Sequence, residues 1–445
     1  MSKILYIPVV RDKFDYQKAE EIFENVKNFL LKLSKQIIIP SKSIGDIPTL
    51  KEFLNANQAQ NFTGIIFHNT TFTDAEFIQT VHQYYPEVPI LLLAPREPSI
   101  GERLKLNALT GIISSANYLK THDHDFQQVY GNPDEQHVKE VISRFIKACT
   151  LKSALASLKI GVVGTFPPGF FFSDANAGLL KRTFGVTLRH YDIDRAFEAA
   201  EKLPLEAYQA ELAYALSKFD DLDPQAKETI KYVKYVALMK KWAKRDGWQA
   251  LASRCWPDFF DKYHCAPGAV WSQLSDQLLP TAMECDIHGA LSMFILQQTT
   301  NNSQPVFLGD LSSMDQKDNT ITMWHDYGAF SLANPKYGVK SSVHPNRKIP
   351  VSPQFVLKPG EVSIFRVHFN PSFGYEFIIV RGNVLDTPAQ FNGVSAKVQL
   401  DLPVNNFIDN FILNGYESHF ALVYGDHISE LIALAKLLKL PLKVY

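Results

Sequence analysis

At 445 residues the chain is longer than one hydrophobic core usually grows, so two or three domains are expected. Hydrophobic residues make up 46% and charged residues 20%, with a formal net charge of -1; this ordinary composition offers no basic field for nucleic acid or an anionic membrane. The four cysteines form no CxxC pair, no run reaches membrane-span length, and the N-terminus reads as a short strand and not a signal peptide, so a cytoplasmic protein with neither nucleic acid nor membrane as partner is expected.

The first third alternates short apolar runs with helical patterns. Ile4–Ile7, Ile37–Ile39, Gly64–Phe67 and Ile90–Ala94 read as buried strands, and Tyr16 to Leu33 as an intervening helix. That alternation predicts a parallel sheet covered by helices. Active groups in such sheets collect at the strands' carboxyl ends, which here carry Arg11, His68 with Asn69, and Arg96. Each reads as ordinary loop chemistry before it reads as a ligand. A long helix over Gln136 to Leu158 bridges to the next domain.

Lys159–Gly164 opens a second strand–helix region. The following Thr165-Phe-Pro-Pro-Gly-Phe-Phe-Phe-Ser-Asp174 is not a dinucleotide fingerprint, because the glycine spacing is wrong and two prolines occupy the loop. Its aromatics fit either a wall over a pocket or plain packing. Gly185–Tyr191 reads as a strand, and about Asp194 to Arg245 as a helical tract with solvated charges. Gln249–Pro257 reads as a strand delivering Trp256 to a rim, and Leu279 to Glu284 as another, presenting a single acid. Cys255 and Cys265 flank His264, but no second ligand pair follows at zinc-finger spacing.

From Gly289 to Leu296 nearly every residue is apolar, so this segment belongs deep in a core. A carboxylate at its mouth, Glu284, needs a cation or hydrogen bonds to offset burial, unless it only answers the helix dipole. Beyond about Asn301 strand-like runs follow one another: Glu361–Val367, Tyr375–Arg381 and Ser395–Leu400 predict an antiparallel sheet or barrel. Asn334 to Pro353 reads as a long functional or mobile loop, and Ser429 to Leu438 as a closing amphipathic helix. Three further strand termini carry polar residues: Asp310 after Pro305–Leu308, His325 with Asp326 after Ile321–Trp324, and His419 opening Phe420–Tyr424. Glu, Asp and His at the ends of buried strands form a ligand set for a hard or borderline divalent cation such as Mn²⁺.

The ordered set Arg254-Cys-Trp-Pro257, Ala282-Met-Glu-Cys-Asp-Ile-His-Gly-Ala-Leu-Ser-Met293, the strand ending at Asp310, Met323-Trp-His-Asp-Tyr-Gly328, Leu357-Lys-Pro-Gly-Glu-Val-Ser363 and Gly415-Tyr-Glu-Ser-His-Phe420 resembles the fucose isomerase and arabinose isomerase superfamily. The resemblance covers about residues 158–445; the first 157 share only the alternating architecture. It implies two Rossmann-like parallel-sheet α/β domains, residues 1–157 and 158–300, followed by a β-rich, barrel-like domain, residues 301–445. It also implies a Mn²⁺-dependent aldose–ketose isomerase acting on a monosaccharide and assembled as a homotrimer or homohexamer.

In that family the metal acids fall on Glu284 and Asp310, which would also be the acid–base pair, and the late histidine ligand falls on His419. His325 binds metal in one branch and falls to substrate contact in the other; Trp256 offers a wall for a sugar face. The chain departs from the family pattern at His325-Asp-Tyr-Gly328, where His-Cys-Gly is common, and at Ser418, where a second histidine often stands. The sugar stays open among L-fucose, D- or L-arabinose and sulfonated hexoses such as sulfoquinovose. Arg11, Arg96, Lys340, Arg347 and Lys348 are cations available to an anionic substituent or to solvent. A sugar-binding or sensing homologue of the same fold is the alternative to an enzyme.

Overall fold

The computed structural model describes residues 3–101 and 103–445. The chain divides into two compact units, Met1–Ser153 and Ala154–Tyr445, and the division falls inside the helix Gln136–Ser157.

The first unit is built on a five-stranded parallel sheet in the order Ile37–Ile38, Lys3–Val9, Phe62–Asn69, Ile90–Ala94, Phe126–Tyr130. The first four match the predicted apolar runs. The fifth is a half-exposed edge strand, so it carries no apolar run to read. The helix Tyr16–Leu33 covers its predicted span because Ala19, Ile22, Phe23, Val26 and Leu30 recur at helical spacing and all are buried. Asp15, Asp46 and Asp74 cap helices by accepting backbone N–H bonds. Gly64 is needed for close packing: a Cβ there would stand 2.6 Å from Cys149 Sγ.

The second unit holds two sheets. The first is parallel and four-stranded, in the order Thr187–Tyr191, Lys159–Val163, Ala250–Ser253, Thr281–Ala282. The predicted helical tract is three helices, Ile193–Glu201, Leu205–Leu216 and Lys227–Asp246, broken at Pro204 and around Asp223-Pro224. The helix Ile287–Thr299 is buried almost all round, as its apolar composition requires. It packs against strands of both sheets.

The second sheet has nine strands in the order Lys340–Val343, Pro350–Val356, Val394–Leu400, Thr320–His325, Phe307–Asp315, His419–Tyr424, Gly360–Asn370, Gly374–Val384, Leu442–Val444. Strand Gly374–Val384 also pairs with Val394–Leu400, so the sheet curls back on itself. It is not a closed barrel. One edge of Val394–Leu400 is shared, with Val394 and Ser395 facing Pro350–Val356 and Val398 to Leu400 facing Gly374–Val384. The stretch expected as a long loop, Asn334 to Pro353, instead contains a two-stranded hairpin. Its first strand is polar and largely exposed and its second carries two prolines, which hid them.

Candidate metal and active site

Three of the four parallel strands deliver residues to one place from their carboxyl ends, where α/β sheets place ligands. After Lys159–Val163 comes the aromatic segment Phe170 to Phe172. After Ala250–Ser253 comes Trp256, and after Thr281–Ala282 comes Glu284. The last turn is tight. Glu284 and Cys285 both have left-handed backbones, φ 59° and 55°, in a sequence without glycine. Such consecutive strain persists only where the surroundings hold it. Here the N–H of Cys285 donates to the Ser253 carbonyl (3.1 Å) and that of Asp286 to the Met283 carbonyl (2.9 Å). Glu284 Oε1 accepts the Trp256 indole N–H at 2.9 Å.

The curled sheet supplies the other side. Asp310 and His419 are directly opposed across their antiparallel strands, so their side chains share a face. His419 Nε2 stands 3.4 Å from Glu284 Oε2 and 3.5 Å from Asp310 Oδ1. Ligand atoms of Glu284, His325 and His419, all three buried, lie within 4.8 Å of one another. Asp310 is the more open carboxylate, and its Oδ1 accepts the Ser418 hydroxyl at 2.6 Å. The aromatic segment forms the wall: Phe172 meets His419 edge-on at 5.2 Å between ring centres, and Phe170 meets Trp256 at 5.4 Å.

Both histidines are held from behind by an aspartate. His419 Nδ1 bonds Asp286 Oδ2 (3.0 Å); His325 Nδ1 accepts the Asp326 backbone N–H (2.9 Å) and stands 2.7 Å from Asp326 Oδ1. In both rings Nε2 is the nitrogen that faces the cluster. His325 Nε2 is buried and has no hydrogen-bond partner among the described residues. Asp286 is itself held by the fully buried Arg366, whose Nη1 and Nη2 donate to its two oxygens at 2.6 and 3.0 Å. It also accepts the Gly289 N–H at 2.8 Å, capping the helix Ile287–Thr299. Behind Arg366 lies Glu417, which accepts from His368 Nδ1 at 2.7 Å.

The electrostatics follow from this layout. Burial raises the Glu284 carboxyl above its ordinary range, against the pull of His419 and His325. Burial raises Asp286 too, but Arg366 and His419 outweigh it and hold it well below the carboxylate range. For His419 burial works downward; the bond to Asp286 and the charges of Asp310 and Glu284 win and push it up to about 9. Carboxylates on three sides of one imidazole, with a second histidine's buried ring nitrogen unpartnered, are a donor set that fits a borderline divalent cation.

The structure thus brings Glu284, Asp310, His325, His419 and Trp256 together. Asp286, Arg366, Asp326 and Glu417 were not singled out beforehand. Asp286 had a signal as the capping residue before an apolar helix; the Arg366 pair, bridging 80 positions, had none. Both departures from the family pattern touch the cluster, Asp326 through His325 and Ser418 through Asp310. Other candidates are engaged elsewhere. Arg11 pairs with Asp74 and Arg96 with Glu135, while buried His68 bonds Tyr6 and burial lowers its pKa to about 3. Arg347 lies over the Phe260 ring, and Lys340 and Lys348 lie on the hairpin surface. Cys255 and Cys265 are buried free thiols, and the cluster of Glu284, His325 and His419 is the metal-ligating group found among the described residues.

Residues 352–445 match the family model described as L-fucose isomerase, C-terminal domain. Over 445 residues the chain is 39% identical to a sulfoquinovose isomerase from Priestia aryabhattai, covering 100% of this chain and 99% of that one. A sulfoquinovose isomerase from Clostridium sp. (strain MSTE9) is 36% identical over 448 residues, with 100% and 99% covered. One from Alkalicoccus urumqiensis is 34% identical over 442 residues, with 99% of each covered. Likeness of this extent defines the chain as a sugar isomerase. It belongs to the fucose isomerase-like family that includes these sulfoquinovose isomerases.

Proposed function

We propose that the protein is a divalent-metal-dependent aldose–ketose isomerase acting on a sulfonated hexose, sulfoquinovose. The observation that carries the metal reading is the convergence of Glu284, His325 and His419 on one point with Asp310 beside them. The substrate reading rests on the full-length identity to three proteins of that activity.

Glu284, Asp310 and His419 would hold the ion, Mn²⁺ being the first candidate, with His325 Nε2 either completing the set or bonding a sugar hydroxyl. Bound there, the ion would act as a Lewis acid on the sugar's O1 and O2 oxygens, acidifying the C2–H bond. The reaction moves one proton from C2 to C1 and one hydroxyl proton from O2 to O1, through a cis-enediolate. Asp310, the more open acid, takes the C2 proton on Oδ2 and returns it to C1, while Ser418 steadies Oδ1. Glu284, with Oε1 fixed by Trp256, exchanges the hydroxyl proton through Oε2. Asp286 keeps the His419 imidazole turned with Nε2 towards the ion, and the Asp326 backbone N–H fixes the orientation of the His325 ring. Phe172 and Trp256 exclude water and flank the sugar ring.

Glu284→Gln and Asp310→Asn are expected to abolish turnover of sulfoquinovose supplied with Mn²⁺ while the protein stays folded. Full activity in either variant would remove the mechanism. A panel with glucose, L-fucose and L-arabinose tests the substrate. We further propose, from the family resemblance, a homotrimer or homohexamer, which light scattering checks as three or six times the chain mass. The four buried free thiols support a reducing, cytoplasmic setting.

A further inference from the structure

We propose that Arg254, with the Thr165 hydroxyl, forms the subsite that takes the sulfonate group of the sugar; this rests on the sulfonated-hexose reading given above and names the residues that make it selective. The four-stranded parallel sheet has one place where its connections part. From Lys159–Val163 the chain crosses to Thr187–Tyr191 on one side, then returns to Ala250–Ser253 on the other. The crevice between two such strand ends is where open α/β sheets bind ligands. Here it lies between Gly164 with Thr165 on one strand end and Arg254 on the other. Among the described residues, the turns after the four strands, 164–174, 192, 254–257 and 283–286, hold a single Lys or Arg between them, Arg254.

The guanidinium is held from behind. Its stem lies across Gly164, where a Cβ would stand 3.0 Å from the Arg254 Cβ. Nε forms an ion pair with Asp258 Oδ2, and both atoms are shut off from solvent. Nη1 donates to Thr165 Oγ1 at 3.0 Å, from one strand end to the other. With Nε turned inward, the two Nη groups are the part that can meet a ligand, and the side chain keeps 19% of its surface exposed. N–H groups in a rigid fork suit the oxygens of a sulfonate as they suit a carboxylate or a phosphate. The Thr165 hydroxyl accepts from Arg254, so its own proton is available to a further oxygen.

This subsite and the metal cluster share their supports. The Val163 carbonyl accepts the Arg254 N–H at 2.9 Å and the Cys285 thiol at 3.3 Å, and the Cys285 N–H donates to Ser253. The turn that carries Glu284 is thus bonded to the strand ends that carry Arg254. The guanidinium charge is felt there: burial pushes the Cys285 thiol up to about 12, against the pull of Arg254. Two residues beyond Arg254 is Trp256, whose indole bonds Glu284 Oε1. An aldose engaged at the cluster through O1 and O2 has C6 at its far end. A sulfonate on C6 is a permanent anion, and Glu284, Asp310 and Asp286 repel it unless a cation offsets them. A neutral hexose needs no such cation, so Arg254 discriminates between the two.

Arg254→Met keeps a stem over Gly164 and removes the fork, while Asp258 stays paired with Lys262 at 3.1 Å. With Mn²⁺ supplied, kcat/KM for sulfoquinovose is expected to fall about ten- to a hundredfold, mostly through KM. Arg254→Lys returns the charge without the fork and should recover part of that loss. Thr165→Val removes the hydroxyl alone and should raise KM about three- to tenfold. Mn²⁺ affinity, titrated directly, should stay close to the parent's in all three. A parent-like KM for sulfoquinovose in Arg254→Met overturns the proposal, and so does a loss that falls on kcat alone. Thr165→Val leaves the ion pair intact and carries the test if Arg254→Met proves unstable; a parent-like KM there overturns the proposal as well. A parent protein that isomerises glucose or L-fucose but not sulfoquinovose refutes the substrate reading itself, and the proposal with it.

Discussion

The replacement Asp286→Asn separates the fold's use of the buried carboxylate from the site's. Asp286 makes two bonds to Arg366, one to the Gly289 N–H and one to His419, and none of its surface is exposed. Asparagine retains an acceptor for the helix cap but removes the charge. Arg366 is then left in the interior with Glu417 Oε1 at 3.7 Å, an acid already bonded to His368. Removing one partner of a buried ion pair costs about 3–5 kcal/mol. Against a usual total of about 5–15 kcal/mol, that is a large share of the stability. Equilibrium urea unfolding followed by tryptophan fluorescence is the suitable assay, because all five tryptophans lie between Trp242 and Trp324, in the second unit. The double variant Asp286→Asn with Arg366→Met removes the orphan charge and should be more stable than Asp286→Asn alone. A single variant within about 1 kcal/mol of the parent, or a double variant less stable than the single, would refute the argument that the guanidinium is the source of the loss.

Ion binding should strengthen with pH. The apo His419 imidazole, pushed up to about 9, is protonated at neutrality, and a cation must displace that proton. Apparent Mn²⁺ affinity should therefore rise about tenfold per pH unit between pH 6 and 8 and level off near 9; a flat titration series contradicts this. The same shift gives the metal-free protein stability that is complete below the unfolded histidine value of about 6.5 and is lost as pH rises through about 9. Trp256→Phe removes the indole donor to Glu284 and should lower kcat/KM about ten- to a hundredfold, corresponding to about 1.5–3 kcal/mol for a hydrogen bond to a charged group. Unaltered kinetics would show that Glu284 does not depend on that bond. Gly289→Ala places a methyl group 2.4 Å from Asp286 Oδ2, so it should destabilise by about 1–3 kcal/mol and weaken Mn²⁺ binding at once; a stability loss with intact binding would mean that His419 is oriented without Asp286.

The elements legible in the sequence were those whose burial is local. The strands at Ile4, Gly64 and Ile90 are buried on both faces, and the helix Ile287–Thr299 is buried nearly all round, so their composition alone marks them. Glu284, Asp310 and His419 stood out because each interrupts or bounds an apolar run. The strand Lys340–Val343 and the edge strand at Phe126 were invisible because they bury little and so carry no periodic pattern. The supports behind the histidines were invisible for another reason. An Asp–Arg pair bridging positions 286 and 366, or a His–Asp contact bridging 344 and 326, exists only after the chain has folded. Spacing along the chain carries no trace of it.

The turn at Glu284 and Cys285 bears on how this protein would respond to selection for heat resistance. Two successive side chains sit in a backbone region where glycine or asparagine would rest more easily, at a cost of order 1 kcal/mol or more each. Laboratory evolution that rewards survival at high temperature alone would be drawn to Cys285→Gly or Cys285→Asn. The relaxed loop would then present its carboxylate less firmly, and the hardier descendants would be the slower catalysts.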